Sequence, residues 1–154
     1  MKTLIGTVLL AAALTASADL PPFFRAAGGA ARTNGDRTEF RDAQGRLVGT
    51  ARTNGNRTEY RDAMGRLVGT AQQNGNRTEF RDAMGRQQGT ARTDGGRTEY
   101  RDAMGRYQGK AETDKSGRTE YRDAMGRYQG KAETDKSGRT TYRDAQGRYQ
   151  GTGR

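Results

Sequence analysis

The chain has 154 residues, with 28 lysines and arginines against 18 aspartates and glutamates, so its formal net charge is +10. It contains no histidine, cysteine or tryptophan, which excludes disulfide bonds and catalytic centres built on a histidine base or a cysteine nucleophile. The length is sufficient for one domain, but the high charge and the 23 glycines leave little material for a large hydrophobic core.

The first segment, residues 1–18, has the pattern of a secretory signal peptide. Lys2 gives a positive start, an apolar stretch follows at 4–14, and Ala16-Ser17-Ala18 forms a signal-peptidase site. The apolar stretch is too short to span a bilayer as a helix, and no second one follows, so no transmembrane segment is expected after cleavage. We therefore predict a secreted bacterial-type protein, periplasmic, cell-surface or extracellular, with a lead-in linker at residues 19–36.

Residues 37–154 are predicted to be a β-repeat domain of six copies. The copies begin at a shared arginine, and their spacing is first 20 and later 21 residues: Arg37, Arg57, Arg77, Arg97, Arg118 and Arg139. The stretch RTEYRDAMGRYQGKAETDKSG occurs twice without change, from Arg97 and from Arg118. A fixed period of this length is typical of repeat architectures and argues against disorder. Verbatim copies indicate that length or copy number matters more than one specific pocket.

Each copy contains two segments with the alternation of a β-strand. From Arg57 onwards, charged residues alternate with Thr58 and Tyr60, and both of these residue types favour strands. After the DAMG stretch a second alternation places Leu67 and Gly69 on one face. Helices are not expected, because no apolar period of about 3.6 residues crosses the glycines.

The segments between the predicted strands have the composition of hairpin turns. TNGN at residues 53–56 has Asn-Gly at its centre, which predicts a two-residue turn. DAMG at residues 62–65 predicts a type I turn with a left-handed glycine at its end. In the later copies TNGN becomes TDKSG at residues 113–117, the form of a three-residue loop with a glycine bulge. The additional residue therefore falls in a turn, where a β-hairpin tolerates it.

These turns predict a strand register and a fold. A two-residue turn at Asn54-Gly55 sets Gly49 opposite Tyr60, and a four-residue loop at 62–65 sets Tyr60 opposite Leu67. Both registers place the same residues on one face, where the tyrosine ring can cover bare glycine backbone. We predict an all-β antiparallel hairpin meander of about twelve short strands, with Thr, Tyr or Phe, Gly, Ala and Leu on one face and Arg and Glu on the other. The residues predicted to maintain the repeat are Tyr60, Gly65, Tyr100, Gly105, Tyr121 and Gly126.

A β-solenoid or stacked cross-β fold is the alternative architecture. In that fold each copy forms one rung, and equivalent arginines such as Arg57 and Arg77 stack about 4.8 Å apart. Each like-charge contact costs about 1 kcal/mol in water, and a single row of glutamates offsets only part of this cost. The meander is favoured because it builds no continuous arginine ladder.

No residue is predicted to be catalytic, to hold a cofactor or to bind a metal. The carboxylates recur at equivalent positions in every copy, and the Asp of DAMG is interpreted as a turn residue, since the spacing of a calcium loop is absent. The arginines form a basic stripe, and its candidate polyanion contacts are Arg57, Arg61, Arg66, Arg97, Arg101 and Arg106. The other interpretation is that these arginines pair with residues such as Glu59, because the aromatic residues are expected on the opposite face.

The stretch GRTEYRDAMGRYQG resembles the tyrosine–aspartate repeats of bacterial Rhs-type surface and toxin proteins. Tyr121, Asp123, Gly126 and Arg127 match that motif in part, and Arg122 stands where the family has a tyrosine. GRYQGKAE is similar to the Tyr-x-Gly core of MORN-type hairpin repeats, without their usual tryptophan. The resemblance extends over residues 32–154 and implies a non-catalytic array of β-hairpins, in some such families on a cell surface.

These patterns predict a non-enzymatic structural protein. We expect an extended β-sheet that self-associates into an extracellular or envelope-associated fibre, as in a functional amyloid or a biofilm matrix. The reason is that the last copy has no capping sequence, and an uncovered strand edge can pair with another chain. The alternative is a multivalent binder of acidic polysaccharide, lipopolysaccharide or extracellular DNA through the repeated arginines. A third possibility is a passive spacer whose only property is length.

Overall fold

The computed structural model describes residues 29–42 and 44–153 of the chain. Its regular elements are all strands, which confirms the predicted all-β class. The strands are β1 Gly29–Asn34, β2 Arg37–Arg41, β3 Leu47–Asn54, β4 Arg57–Asp62, β5 Leu67–Asn74, β6 Arg77–Asp82, β7 Gln87–Asp94, β8 Arg97–Asp102, β9 Tyr107–Thr113, β10 Arg118–Asp123, β11 Tyr128–Thr134, β12 Thr140–Asp144 and β13 Tyr149–Gly153. No helix within these ranges is long and apolar enough to cross a membrane.

The predicted signal peptide and the first part of the predicted lead-in lie outside the described residues. The last part of the lead-in forms β1, so the described residues contain thirteen strands, one more than twelve. The sequence of β1, GAARTN, is similar to GTARTN in β3. β1 is therefore the second half of a further, incomplete copy of the repeat.

Consecutive strands pair as antiparallel hairpins from β1 to β13. This is the predicted meander, and not the solenoid, in which equivalent strands of successive copies would lie side by side. In addition, β1 pairs with β13 in parallel, at Gly29–Gly151, Ala30–Thr152 and Ala31–Gly153. The order of strands therefore closes on itself. We call this parallel ladder the seam.

The loops at one end of the sheet have the predicted turn from Asp to a left-handed Gly, but the loop contains three residues, 63–65 in the second copy, and not the predicted four. In the second copy the amide of Gly65 donates to the carbonyl of Asp62 at 3.0 Å, and the amide of Asp62 donates to the carbonyl of Arg66 at 2.9 Å. Gly65 has a φ of +81°, in the left-handed region that glycine adopts readily. Gly105 and Gly126 have the same conformation in their copies, as the sequence predicts.

The loops at the opposite end differ from the prediction by one residue in the early copies. Asn54 pairs with Arg57, so the two loop residues are Gly55 and Asn56, and not Asn54 and Gly55. In the later copies the three-residue loop is confirmed, because the amide of Asp114 donates to the carbonyl of Arg118 at 2.9 Å. The inserted residue thus converts a short turn into the same Asp-x-x-Gly loop that occurs at the other end.

The strand register is shifted by two residues from the predicted one. Tyr60 pairs with Ala51 on one side and with Gly69 on the other, whereas the sequence predicted Gly49 and Leu67. Because side chains alternate with a period of two, a two-residue shift leaves each of them on its original face. The predicted faces are therefore correct for most residues although the predicted partners are wrong.

A β-bulge follows the aromatic residue of each copy. In the second copy the register shifts between Tyr60 and Arg61, so that Arg61 pairs with Leu67. Val68 is the additional residue and packs against the hydrophobic core. Leu67 consequently lies beside Arg61, which corrects the prediction that leucine shares the face of Tyr60.

The hydrophobic core lies on the face that carries Tyr60 and Gly69, which we call the inner face. Tyr60 and Phe80 are 3 % and 2 % exposed. The buried hydrophobic residues form two clusters: Phe40, Ala51, Tyr60, Ala71, Phe80 and Ala91, and then Ala111, Tyr121 and Ala132. Tyr100 packs against both clusters and joins them. Full burial of a Phe-sized side chain contributes about 1.5–3 kcal/mol, so the repeated aromatic is the main hydrophobic contribution of each copy.

Candidate functional site

Of the residues predicted to maintain the repeat, the three tyrosines lie on the inner face and the three glycines lie in the loops. Tyr60 lies opposite Gly69, and a Cβ atom added to Gly69 would meet the carbonyl oxygen of Arg81 at 2.6 Å. Tyr100 and Tyr121 lie opposite glycines in the same way. An aromatic residue thus pairs with a glycine across the strands, the arrangement that lets a ring cover bare backbone, but the glycine differs from the one expected.

The tyrosine hydroxyls of the inner face lie in a poorly hydrated environment. Burial raises the pKa of Tyr60 and of Tyr100 well above its usual range. Burial also raises the pKa of Tyr121, and the nearby Tyr100 and Tyr142 add to the effect. The hydroxyl of Tyr121 is buried without a hydrogen-bond partner. These hydroxyls therefore remain neutral at physiological pH.

The aspartate of each Asp-x-x-Gly loop holds the loop and the following arginine together. Asp62 Oδ1 accepts from the amides of Met64 and Arg66, both at 2.9 Å, and its Oδ2 accepts from Arg66 Nε at 2.7 Å. The hydrogen bond from the Arg66 side chain lowers the pKa of the Asp62 carboxyl. Asp62 is thus a turn residue, as expected. The described ranges contain no group of three or more side chains that could hold a metal ion.

The opposite face of the sheet, which carries Arg57, Glu59 and Arg61, is the outer face. Glu59 lies between the two arginines and pairs with Arg57 at 3.6 Å and with Arg61 at 3.3 Å. The same arrangement recurs in the first and third copies. Opposite charges therefore alternate along the strands, which is the charge pairing that the sequence offered as one interpretation.

Most arginines that the sequence singled out for polyanion binding have an internal carboxylate partner. The ion pairs are Arg57–Glu59, Arg61–Glu59, Arg66–Asp62, Arg97–Glu99 and Arg106–Asp102, at N–O distances of 2.6–3.6 Å. Arg101 differs, since it donates to the carbonyl of Gly105 at 3.0 Å and has no described carboxylate within 4.0 Å. The charge available to a polyanion is therefore smaller in these copies than the count of arginines indicates.

Tyrosines that sequence reasoning missed lie on the outer face of the later copies. The bulge pairs Arg101 with Tyr107, and the equivalent positions pair Arg122 with Tyr128 and Arg143 with Tyr149. The expectation that aromatic residues and arginines occupy opposite faces is thus wrong for these tyrosines. The sequence contains a signal for this arrangement. In Arg-Tyr-Gln-Gly, two residues stand between the arginine that ends the loop and the glycine of the following strand, and one of these two can be the additional residue of a bulge.

The comparisons with known proteins report the fold and no family. No known protein family matches the sequence, and no curated protein matches it. A solved protein of Arabidopsis thaliana is similar in structure, with a TM-score of 0.54 and 10 % identity, over 68 % of this chain and 70 % of that one.

Two further solved structures match less well. An alternansucrase in complex with isomaltononaose has a TM-score of 0.22 and 26 % identity, over 73 % of this chain and 9 % of that one. BamB from Moraxella catarrhalis has a TM-score of 0.31 and 11 % identity, over 75 % of this chain and 66 % of that one. The comparisons assign no function to the chain.

Proposed function

We propose that this protein is a non-enzymatic, secreted structural protein whose sheets associate into a fibre or matrix outside the cytoplasm. The observation that supports the proposal is the seam between β1 and β13. The seam has three residue pairs in parallel, whereas hairpin ladders such as β1–β2 and β3–β4 have five and six. It also lacks a connecting turn, so it is the place where the closed sheet opens at least cost.

The seam joins two strands of the same kind. Gly29 and Gly151 occupy equivalent positions in the repeat, as do Ala30 and Thr152. Nothing in this pairing requires that both strands belong to one chain. If the seam opens, β13 of one molecule can pair with β1 of the next in the same register. Repeated head-to-tail pairing of this type produces an open polymer wherever the rotation between successive molecules does not close a ring.

Closure within one chain competes with this association. Pairing of β1 with β13 of the same chain is intramolecular and does not depend on protein concentration, so free molecules in dilute solution remain closed. Assembly then requires a high local concentration, such as accumulation at a cell surface. The signal-peptide pattern at residues 1–18 supports export to such a place.

The alternating charges of the outer face support lateral packing of the assembled sheets. A row of Arg57, Glu59 and Arg61 presents both signs of charge within one strand, and a second copy displaced along the strand can match them. Such contacts are screened by salt, because the side chains are exposed. Moderate ionic strength should therefore alter the bundling of fibres more than their formation.

Electron microscopy and fibre diffraction test the proposal. The protein is concentrated stepwise at low and at moderate salt, and each step is imaged and examined by sedimentation. We expect filaments above a threshold concentration, with a meridional spacing of about 4.7 Å between strands. A protein that stays monomeric at every concentration and ionic strength contradicts the proposal.

A further inference from the structure

The last copies of the repeat differ from the first on the outer face. In the early copies the arginine after the aromatic residue lies between a threonine and an apolar or amide side chain, as in Thr50–Arg61–Leu67. In the last copy the corresponding residues are Lys131, Arg143 and Tyr149, on β11, β12 and β13. Neighbouring strands are about 4.8 Å apart. Two cations and an aromatic ring thus form one continuous row across the sheet.

Arg143 is the cation of this row that forms no ion pair with a described carboxylate. The position that Glu120 occupies in the preceding copy is Thr141 in the last one. Arg122 has Glu120 at 3.5 Å, whereas Arg143 donates to the carbonyl of Gly147 at 3.0 Å and has no described carboxylate within 4.0 Å. The remaining guanidinium N–H groups of Arg143 are therefore available to an external anion.

The other members of the row are accessible beside it. Tyr149 is 59 % exposed, while the tyrosines of the inner face are mostly buried. Lys131 Nζ donates to Glu133 at 2.7 Å, so the carboxylate partly neutralises the charge of Lys131. The hydrogen bond from Lys131 is the main cause that lowers the pKa of the Glu133 carboxyl, and the charge of Arg143 adds to it, so Glu133 reduces the contribution of both cations. Arg143 forms no ion pair of its own with Glu133 within 4.0 Å and remains the main anion contact.

We propose that the row Lys131–Arg143–Tyr149 binds single-stranded nucleic acid. Arg143 contacts a backbone phosphate in two-pronged fashion, Lys131 adds to the local positive potential, and a base stacks on the exposed ring of Tyr149. The combination of basic groups and aromatic rings along one surface is characteristic of single-strand binders. This inference does not depend on the proposed structural role, since the row lies on the outer face and not in the seam ladder itself.

A weaker second row lies one copy earlier. Lys110 and Arg122 are paired across β9 and β10, and Arg122 and Tyr128 across β10 and β11. The two rows are two strands apart, about 10 Å, which lets one extended strand of nucleic acid contact both. Glu120 compensates Arg122, so the last row dominates the affinity.

The test measures the fluorescence anisotropy of a labelled oligothymidylate on addition of the full chain, over a range of salt concentrations. Tyr149→Leu removes the ring, and leucine occupies the equivalent positions 47 and 67, so the fold is retained. We expect this variant to weaken binding about tenfold. Thr141→Glu restores the carboxylate of the other copies and should weaken binding several-fold, with a smaller salt dependence.

Arg61→Gln serves as the matched control. It removes the same charge from a row that has a glutamate partner and no tyrosine, so binding should change by less than about twofold. Circular dichroism of each variant verifies the fold.

Three results overturn the inference. One is the absence of binding at low salt. Another is unchanged binding by Tyr149→Leu together with a loss by Arg143→Gln, which indicates charge attraction alone. The third is equal or tighter binding of polygalacturonate that persists in Tyr149→Leu, which assigns the surface to acidic polysaccharide.

Discussion

Replacement of Tyr121 by phenylalanine should stabilise the protein. The ring of Tyr121 is 6 % exposed, and its hydroxyl is buried without a hydrogen-bond partner. Burying an unpaired hydroxyl costs about 1–3 kcal/mol, and phenylalanine keeps the ring contacts with the neighbouring alanines. Phenylalanine also occupies the equivalent positions 40 and 80. We expect a gain of about 1–2 kcal/mol in the free energy of unfolding.

The gain is measured by urea denaturation, followed by circular dichroism and by tyrosine fluorescence. Tyr142→Phe is the matched control, because Tyr142 has a side-chain hydrogen bond with Thr140. This variant should lower the free energy of unfolding by about 0.5–1.5 kcal/mol. A destabilisation by Tyr121→Phe equal to that of Tyr142→Phe refutes the reasoning, since it implies that the Tyr121 hydroxyl has a partner in solution. An unchanged slope of the free energy against urea concentration verifies that both variants unfold from the same sheet.

Two further predictions concern the glycines and the tyrosines. Gly69→Ala should destabilise by about 1–3 kcal/mol, because the added Cβ would meet the backbone of Arg81. Gly65→Ala should cost about 1–2 kcal/mol from backbone conformation alone, since its added Cβ meets nothing within 4 Å; equal costs above 3 kcal/mol would contradict this ranking. Stability should also fall as the pH rises above about 10, the ordinary pKa of tyrosine. Burial raises the pKa of Tyr60 in the folded state, so the unfolded state loses its proton first. Denaturation midpoints at alkaline pH measure the effect, which Tyr60→Phe should reduce, and a flat profile up to the alkaline limit would contradict it.

The faces of the sheet were predictable from sequence because alternation is a local property. Thr58 and Tyr60 lie on the inner face and Arg57 on the outer face whichever partner strand residue is chosen. The left-handed Gly65 was predictable for the same reason, since Asp-x-x-Gly specifies its own turn. A regular repeat gives these local patterns many times, and each copy supports the others.

The register was not predictable from the turn sequence. TNGN contains both Asn54-Gly55 and Gly55-Asn56, and either pair supplies two residues that tolerate positive φ. The structure selects Gly55-Asn56, which brings the hydroxyls of Thr53 and Thr58 together at 3.0 Å. That hydrogen bond is a contact between strands, and a turn pattern alone does not contain it.

The candidate binding row was missed because it depends on the bulge. Strict alternation assigns Tyr149 to the same face as Gly151, whereas the register shift after Tyr142 pairs Tyr149 with Arg143 on the outer face.

The seam was missed because pairing of β1 with β13 joins the two strands that are most distant in the sequence. Such a contact depends on how the twist of the whole sheet accumulates, and no short stretch of sequence encodes it.

We propose that one ladder, the seam, serves both closure of the sheet and assembly of molecules. A chain without cysteine allows a direct test with Ala30→Cys and Thr152→Cys, a backbone pair across the seam. Oxidation in dilute solution should form a disulfide within one chain, and sedimentation of the locked protein should show monomer at concentrations where the reduced form produces filaments. Filaments from the locked protein, equal in amount to those from the reduced form, would contradict the claim.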